Sequence, residues 1–397
     1  MSRKANKTYY SVSQLCEVID CEHKTAPYVD FSEYLVVRTS NVRNGTLLFD
    51  DIKYTTKEGF IEWTQRVVPE HGDVLFTREA PAGETCLVPP SLKICMGQRI
   101  VLLRPNKNLI NPHFLSFYLT TKQCRREIYE YVIGSTVTRI NIDDILKIKI
   151  FCPSIAEQEK IASFLGAVDT RLTQLRRKHE LLQTYKRGVM QKLFSQQIRF
   201  KCDDGQPFPD WEKKKLGEVV NFSKGKGISK ENLDDTGKLK CIRYAELYTM
   251  YGEIINHVFS RTNLDPDDLI LSKANDVIIP SSGETAIDIA KAACVCIEGV
   301  VLGGDINILR SKIDGRFLAH YLNHYKKHEI ASAAQGNTVV HLYNTHLKNI
   351  EVEVPDKKEQ EKISNFLIAI NQKIEAIAQQ IDLTKQFKKG LRQKMFV

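Results

Sequence analysis

The chain has 397 residues, 42% hydrophobic and 26% charged, with a net charge of +9. This is the composition of a soluble globular protein long enough for two to four domains. No apolar run reaches the roughly 18 residues of a membrane span, and no apolar segment follows the polar, basic start MSRKANKTYY, so neither a membrane helix nor a signal peptide is expected.

Taken in chain order, the first 150 residues alternate short runs rich in Val, Ile and Tyr with Gly, Pro, Asn and Asp, as strands and turns do. One or two helices are expected near residues 112–131. At Ser154-Ile-Ala-Glu157, just after Pro153, a capping box opens a longer helix. Its apolar residues recur with 4-3 spacing at Ile161, Leu165, Val168, Leu172 and Leu175, a heptad seam. A second strand-rich segment follows, with helices expected near residues 315–334. Then Asp356-Lys-Lys-Glu359, just after Pro355, opens a second long helix with its seam at Ile363, Leu367, Ile370, Ile374 and Ile377. Each helix should run about 40 residues, or about 60 Å at 1.5 Å per residue.

The pentapeptide EQEKI occurs twice, at Glu157–Ile161 and Glu359–Ile363. At this fixed offset, residues 134–194 align without a gap with residues 336–396, and 19 of the 61 positions are identical. A match of that length marks a duplicated unit. Fainter pairs precede it. Leu15-Cys-Glu-Val18 resembles Leu216-Gly-Glu-Val219, Gly72–Phe76 resembles Asn275–Ile279, and Ile100–Arg104 resembles Ile306–Arg310. The expected architecture is α+β: two similar mixed globules at 1–153 and 199–355, and two long helices at 154–198 and 356–397. A lone seam needs a partner, and the other copy, running antiparallel, is the nearest one. His179 and Lys186 interrupt the first seam, Thr384 and Lys388 the second, as solvated or frayed ends would.

Excess charge hints at an acidic partner such as nucleic acid, and it is concentrated in the helices. Residues 157–194 hold eight Lys/Arg against four Asp/Glu, and residues 359–396 hold seven against four. No P-loop, G-x-G-x-x-G, HExxH or G-x-S-x-G motif is present. The ten cysteines are scattered, and no CxxC pair or flanking His offers a zinc site, so reduced thiols and no metal are expected.

A strand-rich globule, Gly-Ser/Asn-Thr-Val, a stretch ending in Pro, EQEKI-x-x-FL, and a helix ending in K-[RK]-G-x-x-QK-[LM]-F together resemble the specificity subunit of Type I restriction-modification systems. Phe208-Pro209, Trp211-Glu212 and Lys215–Val219 resemble that family's entry into a target recognition domain, which Thr8–Val18 lacks. The resemblance implies a cytoplasmic, non-catalytic subunit binding double-stranded DNA. Each of its domains would read one half of a bipartite, asymmetric sequence. Its helices would dock two methyltransferase subunits, with restriction subunits able to join. S-adenosylmethionine, ATP and Mg would belong to those partners, with no cofactor in this chain. EQEKI would then repeat because each domain needs its own helix start and both helices present equivalent surfaces to equivalent partners. The alternative from the residues alone is a two-module scaffold for proteins, whose binding would not weaken with salt as phosphate contacts do.

Candidate DNA-contacting residues are polar or basic and lie in equivalent loops. They are Arg38, Thr39 and Ser40 with Arg243 and Tyr244; Arg78 with Ser281, Ser282 and Gly283; Gln98 and Arg99; Thr136, Thr138 and Arg139 with Thr338 and His341; and Lys224 and Lys226 beside glycines. Arg78 and Arg99 suit guanine and Gln98 suits adenine.

Overall fold

The computed structural model describes residues 8–22, 25–336 and 339–396. Two compact units emerge, Met1–Arg176 with Gln379–Val397, and Arg177–Ala378. Both long helices, Ile155–Phe194 and Lys357–Met395, contribute one part to each unit.

In the first unit an antiparallel sheet has the order Cys16–Asp20, Ile100–Pro105, Val74–Thr77, Thr85–Leu87. Side chains alternate across a sheet, and here both faces are apolar. Val74, Phe76, Val101 and Leu103 enter a core with the helices Pro112–Leu119 and Lys122–Glu130. Leu75, Ile100 and Leu102 enter another, against a second sheet in which Tyr34–Val37 lies between Lys53–Thr55 and Lys93–Met96.

The second unit repeats the plan. Its main sheet runs Val220–Lys224, Ile306–Ser311, Asp276–Pro280, Ala293–Val295, Ile254–Ile255. Val277, Ile279 and Leu309 face one core, and Ile278, Ile306 and Ile308 face the other. A bidentate ion pair recurs at the same place, Arg104 on Asp73 in the first unit and Arg310 on Asp276 in the second.

One pairing from the sequence slips. The helical turn Val12–Leu15 donates its first amide to Ile148, and Leu216–Val219 donates its first to Ile350. Val12 therefore corresponds to Leu216, and Leu15 to Val219. The first turn buries both Val12 and Leu15, whereas the second buries Leu216 and leaves Val219 half-buried, so matching Leu15 with Leu216 shifts the alignment by one turn.

Each unit joins the start of one long helix to the end of the other. Ile161 and Leu165 share a core with Leu391, Met395 and Phe396; Ile363 and Leu367 share one with Met190, Leu193 and Phe194. Within each unit the helices are thus antiparallel. Along the seams Ile161, Leu165, Val168, Leu172 and Leu175, and Ile363, Leu367, Ile370 and Ile377, are buried, whereas Ile374 is only half-buried. The lysines are not solvated interruptions. Lys388 pairs with Asp169 and lies 5.5 Å over the Phe117 ring, and Lys186 lies 3.6 Å from Glu253.

The two helix starts differ from the expected boxes. Ser154 accepts a long 3.4 Å bond from Glu157 N–H. In the second copy Asp356 accepts from Lys358 N–H, and Glu359 does not reach back to the cap. It is fully buried and receives Arg199 at 2.8 Å and the Trp211 indole N–H at 3.1 Å. The shared motif does its common work inside the fold, through Gln158 and Gln360. Each is buried, accepts the backbone N–H at the start of another helix (Asn111, Asp314) and donates to the preceding proline carbonyl.

Candidate nucleic-acid interface

Strand direction collects the candidate residues. In the first unit Asp20 ends one strand, Arg78 follows the end of Val74–Thr77, and Gln98 and Arg99 precede Ile100–Pro105. These strands alternate in direction, so the three places share one rim of the sheet. Backbone bonds fasten the rim together. Arg78 N–H donates to Arg99 C=O at 2.8 Å, Ile140 N–H donates to Arg78 C=O at 2.9 Å, and Arg139 exchanges both bonds with Ile133 at 2.9 Å.

The second unit repeats this lattice bond for bond. Ser281 N–H donates to Asp305 C=O at 2.9 Å, Leu342 N–H donates to Ser281 C=O at 2.9 Å, and His341 exchanges both bonds with Gln335. Arg78 therefore corresponds to Ser281, Arg99 to Asp305, and Arg139 to His341. The sheet register likewise pairs Asp20 with Lys224, through Val101 and Asn307. The backbone is shared while the side chains it presents differ in charge and size.

A second patch adjoins the strand Tyr34–Val37 and its counterpart Leu239–Ile242. Arg38 and Arg243 each precede a short helical turn, and their amides are capped at 3.0 Å by Asn41 and Glu246. Thr39 and Ser40 form the first of these turns and Tyr244 starts the second. Gly97 and Gly303 donate to Val37 and Ile242. A Cβ at Gly97 would lie 2.8 Å from the Val37 carbonyl oxygen, so glycine is needed for that approach.

Most basic groups on the rims already have partners. Arg38 binds Asp51 at 2.6 Å, Arg78 lies 3.4 Å from Asp20, and Arg99 lies 3.0 Å from Glu79. Lys226 pairs with Asp268 at 3.2 Å, Arg243 with Glu246 at 3.5 Å, and Lys224 lies 5.9 Å over Tyr343. The exposed pairs among these, Arg99–Glu79 and Lys226–Asp268, are worth about 0–1 kcal/mol, so a phosphate or a base edge can displace them cheaply, whereas the Glu246 carboxylate is buried. Gln98 donates to Thr25, and the side chains of Arg139 and Thr136 are exposed.

Some candidates serve the fold instead. Ser281 and Ser282 are buried, the latter in strand pairing with His341, and Gly283 packs so closely on Ile289 that a Cβ would lie 2.4 Å from it. They do not face solvent, because the turn after Asp276–Pro280 folds inward. The Thr138 hydroxyl accepts the Ala82 N–H, which fastens the turn after Arg78. Thr338 lies outside the described residues.

Residues 253, 320 and 324 belong to no motif in the sequence. Glu253, His320 and His324 place their ligand atoms within 4.8 Å of one another, the one such group among the described residues that could hold a metal. His320 and His324 are four apart on the helix Gly315–His324, a spacing that puts both on one face. That spacing was the available signal; Glu253 gave none.

The chain matches the Type I restriction modification DNA specificity domain over residues 6–183 and again over 209–385. It is 27% identical, over 81% of this chain and 76% of the other, to a Methanocaldococcus jannaschii protein assigned as the MjaX type I restriction enzyme specificity subunit. It is 24% identical to the MjaVIII type I restriction enzyme specificity subunit of the same organism, over 90% of this chain and 84% of the other. Its fold is similar to the crystal structure of the Type I restriction-modification system S subunit from M. genitalium, with a TM-score of 0.63, 17% identity, and coverage of 100% of this chain and 98% of that one. The two matched segments fall on the two structural repeats, and the chain belongs to the Type I restriction-modification DNA specificity family, with two copies of its domain.

Proposed function

We propose that each unit reads one half of a bipartite, asymmetric DNA target through its rim, and that the chain itself catalyses no reaction. The observation that carries this reading is the repeated rim lattice with unlike side chains, Asp20, Arg99 and Arg139 in one unit against Lys224, Asp305 and His341 in the other. Base edges are read by hydrogen bonds whose pattern depends on side-chain identity. One backbone frame with two side-chain sets suits two different half-sites. Membership of the specificity family and the names of the relatives support the same reading.

Within each rim, Arg78 and Arg99 suit guanine and Gln98 suits adenine, with Lys224, Lys226 and Arg139 available to phosphates. The long helices would dock two methyltransferase subunits, which would supply S-adenosylmethionine; ATP-dependent restriction subunits with Mg could join that complex.

The test is co-expression with the methyltransferase encoded beside this chain, followed by sequencing of methylated adenines. The expected result is a single asymmetric two-part motif that disappears when this chain is omitted. A methylation pattern indifferent to the chain, with binding insensitive to salt, would favour a protein scaffold instead.

A further inference from the structure

We propose that Glu253, His320 and His324 form a site in the second unit for one divalent transition-metal ion with the ligand preference of zinc. His320 and His324 project from one face of the helix Gly315–His324, and Glu253 arrives from the segment before the strand Ile254–Ile255. The His324 Nε2 already lies 2.9 Å from a Glu253 carboxylate oxygen. His320 is the informative residue. Its exposure is 0%, and neither ring nitrogen has a hydrogen-bond partner. Buried polar atoms are almost always satisfied, and one left without a partner costs about 1–3 kcal/mol. A metal ion would satisfy it.

The geometry is close to what coordination requires. Tetrahedral zinc with bonds of about 2.0–2.1 Å sets its ligand atoms about 3.3 Å apart. The three ligand atoms here lie within 4.8 Å of one another, so small side-chain rotations would close the site. Two imidazoles and a carboxylate favour zinc, cobalt, nickel or copper over magnesium and calcium, which prefer oxygen. The competitor is Lys186, whose Nζ lies 3.6 Å from the same Glu253 carboxylate. Metal and ammonium would contend for one anion, so the lysine sets how tightly the metal is held.

The first unit offers an internal contrast. Tyr118 and Tyr321 are counterparts, fully buried at matching places in matching helices. Their neighbours Phe117 and His320 then correspond, as do Thr121 and His324. An aromatic ring without ligand atoms fills the place of His320, so His320→Phe is a substitution the fold already uses.

The experiment uses the full chain, stripped with EDTA and dialysed against zinc, with the metal counted by mass spectrometry and the melting temperature followed. One zinc per chain is expected beyond that of the His320→Phe/His324→Ala double variant, together with a zinc-dependent rise in melting temperature that this variant lacks. Cobalt in place of zinc should give the visible bands of a four-coordinate N/O site. Glu253→Gln keeps the shape and a hydrogen bond to His324 and should lose the same zinc equivalent. Lys186→Ala should tighten zinc binding at least tenfold. Equal zinc uptake by the wild type, the double variant and Glu253→Gln would mean adventitious surface binding only and would overturn the site.

Discussion

The side-chain amides of Gln158 and Gln360, 202 positions apart, make the same two hydrogen bonds. Gln158 accepts Asn111 N–H at 2.8 Å and donates to Pro153 C=O at 2.9 Å; Gln360 accepts Asp314 N–H and donates to Pro355 C=O, both at 2.8 Å. Each amide ties the first turn of a long helix to the first turn of a helix in its own unit. Removing Gln360 would leave a buried donor and a buried acceptor, at about 1–3 kcal/mol per group, and removing Gln158 would leave a half-buried pair. Gln158→Ala should therefore deprotect the amides of Pro112–Leu119 in hydrogen exchange and leave Gly315–His324 unchanged. Gln360→Ala should do the reverse. Equal deprotection of both helices by either variant would contradict this.

The last aromatic of each long helix has a similar double role. Phe194 packs 6.1 Å from Phe317 and 5.6 Å from Tyr321, and Phe396 packs 5.4 Å from Phe114 and 5.8 Å from Tyr118. The helix that starts in one unit thus completes the aromatic core of the other. Both rings are almost fully buried, so truncation should cost about 3–5 kcal/mol. Phe396→Ala should lower the urea midpoint of the first unit, and Phe194→Ala that of the second. Unfolding monitored by exchange at Tyr118 and Tyr321 separates the two.

These features explain what the sequence could and could not disclose. The long helices were legible because heptad spacing and the second EQEKI lie at positions that the core constrains, such as Ile161, Leu165, Ile363 and Leu367. The rim was legible in outline, since Arg38, Arg78 and Arg99 follow or precede strand-like runs. The direction of single side chains was not. Ser281 reads as an exposed loop serine, yet its backbone bonds to Asp305 and Leu342 draw it inside. Glu359 reads as a cap, yet Arg199 and Trp211, far earlier in the chain, compete for its carboxylate and win. A buried charge-assisted pair outweighs a local bond to one free amide. Glu253 beside His320 is of the same kind, a meeting that spacing along the chain does not encode.

Cys294 and Cys296 give a prediction about pH. Their sulfurs are 4.0 Å apart, and a hydrogen bond from Cys294, aided by Arg316, pulls the Cys296 thiol down to about 7 while Cys294 is pushed up. Cys296 should then be alkylated by iodoacetamide with a half-maximal rate near pH 7, rising with pH. An ordinary thiol titrates near 8.5 and is about 3% thiolate at pH 7, and lower basicity partly offsets the gain in thiolate. Cys294→Ala should therefore slow Cys296 alkylation at pH 7 about threefold, read by peptide mass spectrometry. An unchanged rate would show that Cys294 does not hold the thiolate.

The rims make the decisive prediction. Arg99 is over half exposed and pairs with Glu79 at 3.0 Å, in the place that Asp305 occupies in the other unit. Arg99→Ala should relax base preference at one position of one half-site, costing about 1–3 kcal/mol, or roughly 5- to 150-fold in affinity there. The other half-site should keep its preference, because its frame is built from a separate set of backbone bonds around Ser281. His341→Ala should show the converse, altering only the half read by the second unit. Binding to a library randomised at each half in turn measures both. If Arg99→Ala weakens every sequence equally and lowers the salt slope by about one, Arg99 holds a phosphate, and readout in that unit shifts to Arg78 and Gln98.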